Sequence, residues 1–394
     1  MYKKENGSFP VFFFILIFFK IYSSKKNKTH LLNKKIISIK LIWNMKIIYK
    51  IVLASLLLIS CKDKLAPVAK NALKPSIITQ PTPHDTDDPA IWIHPTDPKK
   101  SLIIGTDKET GGGLYIYDLE GEIVNKFTNM GRPNNVDIAY GLKIGDQKID
   151  IAVTSEREEN RIRIFSLPDL KPIDNGGIEV FVGEKDRDPM GISLYTRPSD
   201  SAIFAVVGRK FGPSGSYLWQ YQLSASENNN VTAKLVRKFG EFSQKKEIEA
   251  IAVDNEMGFV YCSDEQSGMR KYYADPAKND NTELAFFGQN DFKSDNEGIA
   301  IYKKTDTTGY ILVSNQQKNT FLVYSREGSK NNLHEHQKIA EFPTSTIECD
   351  GADVTSINLG TKFPDGLFVA MSNGMTFHFY DWRIIQQQID LQQK

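Results

Sequence analysis

From residue 85 onward the chain is built from short runs of alternating apolar and polar positions, each bounded by Gly, Asn, Asp or Pro. Such runs cover residues 101–106, 113–117, 149–155, 161–166, 217–223, 259–263, 310–314 and 320–324. A period of two closed by turn residues predicts β-strands. Helical periodicity is nearly absent. Residues 382–388 alone read as a short helix or as the last closing segment.

The strands fall in groups of about four, and each group opens alike, on an acid and a short apolar strand. The openings are Asp88-Pro89-Ala90-Ile91-Trp92, Asn135-Val136-Asp137-Ile138-Ala139-Tyr140, Asp188-Pro189-Met190-Gly191-Ile192-Ser193, Glu249-Ala250-Ile251-Ala252-Val253, Glu297-Gly298-Ile299-Ala300-Ile301 and Asp350-Gly351-Ala352-Asp353-Val354. They recur at roughly 45–60 residues, the blade period of a β-propeller. Four strands make one blade. The predicted fold is therefore all-β, a six-bladed β-propeller formed by residues 85–394. A pair of β-sandwiches would use similar strands but would not explain the repeated opening.

At 394 residues, 40% hydrophobic and 25% charged, the chain has the composition of a folded protein, which excludes global disorder and a polytopic membrane protein. Its net charge of +1 excludes a strongly basic nucleic-acid binder. That average hides an asymmetry. Residues 1–60 hold eleven Lys and one acid, Glu5, so of 49 bases and 48 acids 38 and 47 remain, and residues 61–394 carry about −9.

The basic segment reads as an address. Residues 11–19 are apolar, closed by Lys20, and too short to span a bilayer comfortably. A second pattern starts at Met45: Lys46 and Lys50, an apolar run over 51–59, then Ser60-Cys61. That is a signal-peptide layout. Leu58-Ile59-Ser60-Cys61 resembles a bacterial lipobox, whose Cys is acylated and becomes the mature N-terminus. The expectation is a leader over 1–60 with Met45 as the true start, a lipidated Cys61, a tether over 61–84, and an exported lipoprotein at the periplasmic or cell-surface face. Cys262 and Cys349 are then two buried thiols or one bridge. There is no metal-type Cys cluster.

In a propeller the first strand of each blade lines the central channel, so equivalent positions converge. Asp88, Asp137, Glu249, Glu297 and Asp353 place a carboxylate in five openings, and the third has Met190, with Asp188 two residues earlier. Clustered carboxylates repel when dry. Oxygen donors without His or Cys favour Ca²⁺ over Zn²⁺ as the neutralising ion. The plainer role of any single acid is to cap a turn or accept from a neighbouring amide. Lys108, Arg157, Arg209 and Lys210 follow in the loops, and cations beside a metal-filled mouth suit a polyanionic phosphate. Gly111-Gly112-Gly113 lacks the Lys-Ser/Thr and helix of a phosphate loop and reads as a hairpin turn. His334-Glu335-His336 lacks zinc-motif spacing, and His84 and His94 read as loop histidines.

Asp85-Thr86-Asp87-Asp88-Pro89-Ala90-Ile91-Trp92 and Asn134-Asn135-Val136-Asp137-Ile138-Ala139-Tyr140-Gly141 closely resemble the two signature segments of β-propeller phytases. Ser294-Asp295-Asn296-Glu297-Gly298-Ile299, Asp350-Gly351-Ala352-Asp353-Val354 and Gly366-Leu367-Phe368-Val369-Ala370 resemble further family segments. The likeness spans residues 85–383. It implies a secreted, Ca²⁺-dependent phosphatase acting on myo-inositol hexakisphosphate, bound as its calcium complex, through attack by a Ca²⁺-activated water. It further implies catalytic calcium ligands at Asp87, Glu249, Glu265, Asp295, Glu297 and Asp350, with Gln316 nearby. Asp88, with Asn135 and Asp137 around it, matches a structural calcium site. Lys108, Arg157 and Arg209 match phosphate-binding cations.

Three departures stand out. Glu109 replaces a second Lys, Met190 replaces a Tyr near the substrate, and Met371-Ser372-Asn373-Gly374 lacks acids found in some members. Glu109 and Met190 favour a rival reading, a non-catalytic calcium-dependent binder of inositol phosphates. A lactonase or phosphodiesterase on a six-bladed propeller is a third, opposed by the density of bases facing acids. The expected partners are phytate and, through the lipid alone, a membrane. The chain is expected to act as a monomer without nucleic acid.

Overall fold

The computed structural model describes residues 67–394. The leader, Met45 and Cys61 lie outside the described residues. All eight strand runs expected from the alternation are present, gathered into six antiparallel sheets.

Blade 1 is Thr86–Trp92, Leu102–Asp107, Gly113–Tyr117 and Ile123–Thr128. Blade 2 is Pro133–Ile144, Gln147–Glu156, Arg161–Ser166 and Ile178–Glu179, with Lys171–Pro172 added beside its third strand. Blade 3 is Pro189–Thr196, Ile203–Arg209, Leu218–Ala225 and Val231–Phe239. Blade 4 is Ile248–Asp254, Phe259–Asp264, Gly268–Tyr273 and Ala285–Phe287. Blade 5 is Asn296–Lys303, Gly309–Asn315, Thr320–Ser325 and Lys338–Pro343. Blade 6 takes Ala352–Thr355, Leu367–Ser372 and Thr376–Asp381 from the end of the chain and Ile77–Ile78 from its beginning. The first strand of every blade packs against the first strands of its neighbours, which closes the ring.

That closure corrects the expected tether. Ile77 and Ile78 pair with Phe379 and His378, and Leu73 bridges to Thr344 in parallel. Ser76 donates its N–H to the Phe379 carbonyl at 2.7 Å. Residues 73–82 thus belong to the propeller. Residues 382–388 begin a helix, α1 (Trp382–Gln392), started by Asp381, whose side chain accepts from the Arg383 N–H. Trp382, Ile385 and Ile389 form its buried stripe, and the Trp382 ring stacks on Tyr302 at 3.6 Å. The Gln392 side chain exchanges two hydrogen bonds with the Glu341 backbone, so α1 covers the open edge of blade 5.

The core lies between blades rather than in the channel. Val153 and Ile164 of blade 2 pack with Ile192 and Val207 of blade 3. Tyr217 and Val206 of blade 3 pack with Val260 and Tyr272 of blade 4. Each fully buried aliphatic or aromatic side chain contributes about 1.5–3 kcal/mol, so the ring is held by its radial interfaces. Cys262 and Cys349 are buried there as free thiols. Beyond its acidic mouth the channel widens into an open cavity of about 520 Å³, where aliphatic side chains alternate with Asp88, Asp137 and Asp353 and where Lys303, Lys304 and Asp306 also line the wall.

Candidate functional site

One local device repeats around the ring. In blades 1 to 5 the first strand carries a β-bulge near its start, where the register slips between Thr86 and Pro89, Pro133 and Val136, Pro189 and Ile192, Ile248 and Ile251, and Asn296 and Ile299. Beyond the slip the pairs Pro89–Gly105, Val136–Thr154, Ile192–Val207, Ile251–Cys262, Ile299–Val313 and, in blade 6, Ala352–Ala370 are equivalent. A bulge re-aims the side chains beside it. Here the residue two before each pair faces the mouth: Asp87, Asn134, Met190, Glu249, Glu297 and Asp350.

A second set follows from the backbone. The N–H groups of Lys108, Arg157, Lys210, Glu265 and Gln316 donate to the carbonyls of Asp85, Arg132, Asp188, Glu247 and Asp295 at 2.8–3.2 Å. The donors are therefore five copies of one position, just past the second strand. The acceptors are five copies of another, two residues before the mouth ring.

The rings correct two expectations. The aligned acids come from different levels: Glu249 and Glu297 belong to the mouth, whereas Asp88 lies one residue and Asp137 and Asp353 three residues further along their strands. The deeper acids act as staples between blades. Asp353 accepts from the Ile91 N–H at 2.8 Å, Asp88 from the Val136 N–H at 3.1 Å, and Asp137 from the Leu194 N–H and the Ser193 hydroxyl at 2.7 Å. The other Asp137 oxygen accepts from the Ile138 N–H, so that carboxylate is already engaged on both sides. Gly351 makes room for the level of Asp88, since a Cβ there would come 2.3 Å from Asp88 Oδ1.

The second correction is Arg209. Being the last strand residue, it turns into the blade, 1% exposed, over the rings of Phe181 and Trp219 and paired with Glu184. Lys210, one residue later, is the true counterpart of Lys108 and Arg157, and its Nζ donates to Glu247 at 2.8 Å.

The other expected site residues converge. Lys108 Nζ donates to Asp87 Oδ1 at 2.8 Å and to Asp350, which also accepts from Gln316. Asn134 Nδ2 reaches Asp87, Glu249 and Asn135 at 2.6–2.9 Å, and Arg157 donates to Asn134 Oδ1 at 3.4 Å. Asp295 accepts from Gln266, Gln317 and Lys246. Met190 occupies its ring position buried, with its carbonyl accepting from the Ser155 hydroxyl. Asn134, Glu247 and Lys246 are site residues the sequence reading passed over. The first two sit at ring positions set by the repeated bulge, a signal that residue order does not mark. Lys246 has no such signal.

Electrostatically the mouth is short of positive charge. Burial, reinforced by Glu249, pushes the Glu265 carboxyl up to about 8. Burial, and then Glu265 and Glu249, holds Glu297 well above the usual carboxylate range. Asp87 and Asp350 rise to about 6 by burial despite Lys108. Asp295 alone is lowered: burial opposes this, but hydrogen bonds from Lys246 and Gln266 prevail.

Two carboxylate groups, Glu247–Glu249–Glu265 and Glu265–Asp295–Glu297, bring one oxygen from each member within 4.8 Å of the others, and they share Glu265. One oxygen of Glu265 and one of Glu297 are buried without a hydrogen-bond donor, and the other Glu265 oxygen meets the Lys246 ammonium. An all-oxygen donor set with orphaned acceptors fits calcium.

The fold and this acidic, cation-flanked mouth define a propeller with a site suited to a metal ion and a phosphate ester, and comparison with known proteins agrees. A family profile described as Phytase matches residues 50–388. The chain is 32% identical over 328 residues to a 3-phytase of Bacillus subtilis, covering 77% of this chain and 81% of that protein. The chain belongs to the Phytase family. Among solved structures, a chain of a mitotic checkpoint complex is similar with TM-score 0.46 and 8% identity, covering 82% of this chain and 96% of its own. The Sqt1 protein of Chaetomium thermophilum is similar with TM-score 0.43 and 11% identity, covering 78% and 74%. Neither structural likeness bears on function.

Proposed function

We propose that this propeller hydrolyses the phosphomonoesters of phytate, myo-inositol hexakisphosphate, at the acidic mouth of its channel, with calcium as its metal. Membership of the Phytase family makes it a phosphoric monoester hydrolase of the 3-phytase kind. The observation that carries the calcium reading is Glu265, a buried carboxylate shared by two acidic groups, with one oxygen unpartnered and the other met only by the Lys246 ammonium.

Asp87, Glu249, Glu265, Asp295, Glu297 and Asp350 would hold the ions, with Gln316 beside them and Glu247 added by its place in the cluster. Calcium supplies neutralisation of the phosphate oxygens and lowers the pKa of the water that attacks phosphorus. Lys108, Arg157 and Lys210 stand at one repeated position around the mouth, where their charges can orient the remaining phosphates. Arg157 adds a planar fork suited to two phosphate oxygens. Asp88 and Asn135 remain candidates for a separate structural ion below the mouth.

The direct test is inorganic phosphate released from calcium phytate by residues 62–394, with and without Glu297→Ala. Release that Glu297→Ala abolishes, and that excess EDTA stops, is expected. Full release in EDTA would refute the metal scheme, and none from the native chain at any calcium level would favour a binder.

The acylated Cys61 belongs to the same proposal, as a monomeric exported lipoprotein cut before that thiol. The Met45 start, the basic region and the apolar run before Cys61 support it. A mass spectrum of the native protein should show a lipidated chain starting at Cys61, and a mature chain starting earlier would overturn it.

A further inference from the structure

Lys246 is unlike the other cations of the mouth. It lies in the segment leading into the first strand of blade 4, outside the repeated position shared by Lys108, Arg157 and Lys210. Its Nζ rests against Glu265, 2.9 Å from Asp295 Oδ2 and 3.7 Å from Glu297 Oε1. Those three carboxylates are one of the two groups able to hold a metal ion. We propose that Lys246 is a built-in counter-ion that occupies this half of the mouth, must leave for calcium to enter, and so sets the calcium concentration at which the enzyme loads. The inference rests on the calcium reading above and adds its regulation.

Calcium takes six to eight oxygens at about 2.3–2.6 Å, which leaves no room for an ammonium among the same three carboxylates. The lysine side chain is 37% exposed, so it can swing to solvent without opening the core. Seated, it offsets the repulsion among three buried acids; displaced, it stands beside the loaded mouth as a further cation for phosphate. Binding to a form populated only part of the time weakens apparent affinity by that fraction. A lysine seated nine-tenths of the time weakens calcium about tenfold. The adjacent Lys245 is a built-in control. It carries the same charge, but its Nζ donates to the Gln266 carbonyl at 2.9 Å instead of entering the cluster.

The test compares the mature chain with Lys246→Gln, Lys246→Arg and Lys245→Gln, by calorimetric titration with calcium chloride and by melting in EDTA and in calcium. Lys246→Gln should bind calcium about tenfold tighter, melt lower in EDTA, and gain more on calcium addition than the native chain. Lys246→Arg, which keeps the charge in the cluster, should bind no tighter than the native chain, and Lys245→Gln should bind like it. If Lys246→Gln binds no tighter, or Lys245→Gln tightens as much, the counter-ion role falls while the calcium site stands. A tighter-binding Lys246→Arg overturns it as well. If the native chain binds no calcium, the calcium reading itself fails and the role of Lys246 with it.

Discussion

Lys210 donates to Glu247 at 2.8 Å in the mouth, while Arg209 points the other way, with its guanidinium 4.8 Å from the centre of the Phe181 ring. Arg209 ends its strand and Lys210 follows it, and the two side chains leave on opposite sides, so only Lys210 can serve the substrate. Lys210→Ala is expected to raise KM for phytate about tenfold, the loss of roughly 1.4 kcal/mol of charged contact, with little change in melting temperature. Its pair with Glu247 is partly exposed and contributes at most about 1 kcal/mol to stability. Arg209→Ala should do the reverse, costing about 3 kcal/mol through the packing lost around a fully buried side chain over Phe181 and Trp219. Steady-state kinetics and thermal melting on both variants check the assignment, and a KM effect at Arg209 without destabilisation would contradict it.

The same pair shows what the sequence conveyed. The alternating runs and the spacing of the six openings are enough for six blades, because both are local patterns written in residue order. Registers across strands are not local. The bulges at Asp87, Asn134 and Glu249 insert one residue each, and nothing in composition marks where the ladder slips. The openings therefore align Asp137 and Asp353 with Glu249, and the family resemblance points to Arg209 where the register places Lys210. Ile77–Ile78 was invisible for another reason: a two-residue strand has no period, and its partner is 300 residues away in sequence.

Glu265 separates catalysis from stability. It is buried, shared by both acidic groups and partnered only by the partly exposed Lys246, so as a carboxylate it strains the calcium-free mouth. Glu265→Gln removes that charge at nearly constant volume. It should raise the melting temperature in EDTA, cancel most of the calcium-induced gain, and lower kcat at least about a hundredfold, the usual scale for losing an electrostatic stabiliser of the transition state. A variant that melts lower in EDTA than the native chain would count against the strain.

Asp353 makes the opposite prediction. Its carboxylate accepts from Ile91 in blade 1 and from Val354 in its own strand, at the seam where the last blade meets the first. Asp353→Ala leaves the Ile91 N–H without its acceptor, at a cost of about 1–3 kcal/mol. Because the residue lies three positions below the mouth ring, KM and calcium affinity should hold. Urea melts and calcium titration of this variant check both halves.

The pH dependence of the calcium-free protein follows from the raised carboxyls. Asp87 and Asp350 titrate near 6 and Glu265 near 8 in the folded chain, chiefly through burial. In the unfolded chain the same groups titrate at about 4. Between those limits the folded state binds more protons than the unfolded one, so stability falls as pH rises. The contribution is fully present below about pH 4 and is lost as the pH passes through the folded values. Calcium binding needs the ionised carboxylates and expels those protons, so it should be tighter at higher pH. Melting in EDTA should therefore drop steadily from about pH 5 to about pH 8, while the gap between EDTA and saturating calcium widens over the same span. A calcium-induced gain that stays constant with pH would mean that the carboxylates of the mouth are ionised before the metal arrives, held so by Lys108, Lys246 and Lys210.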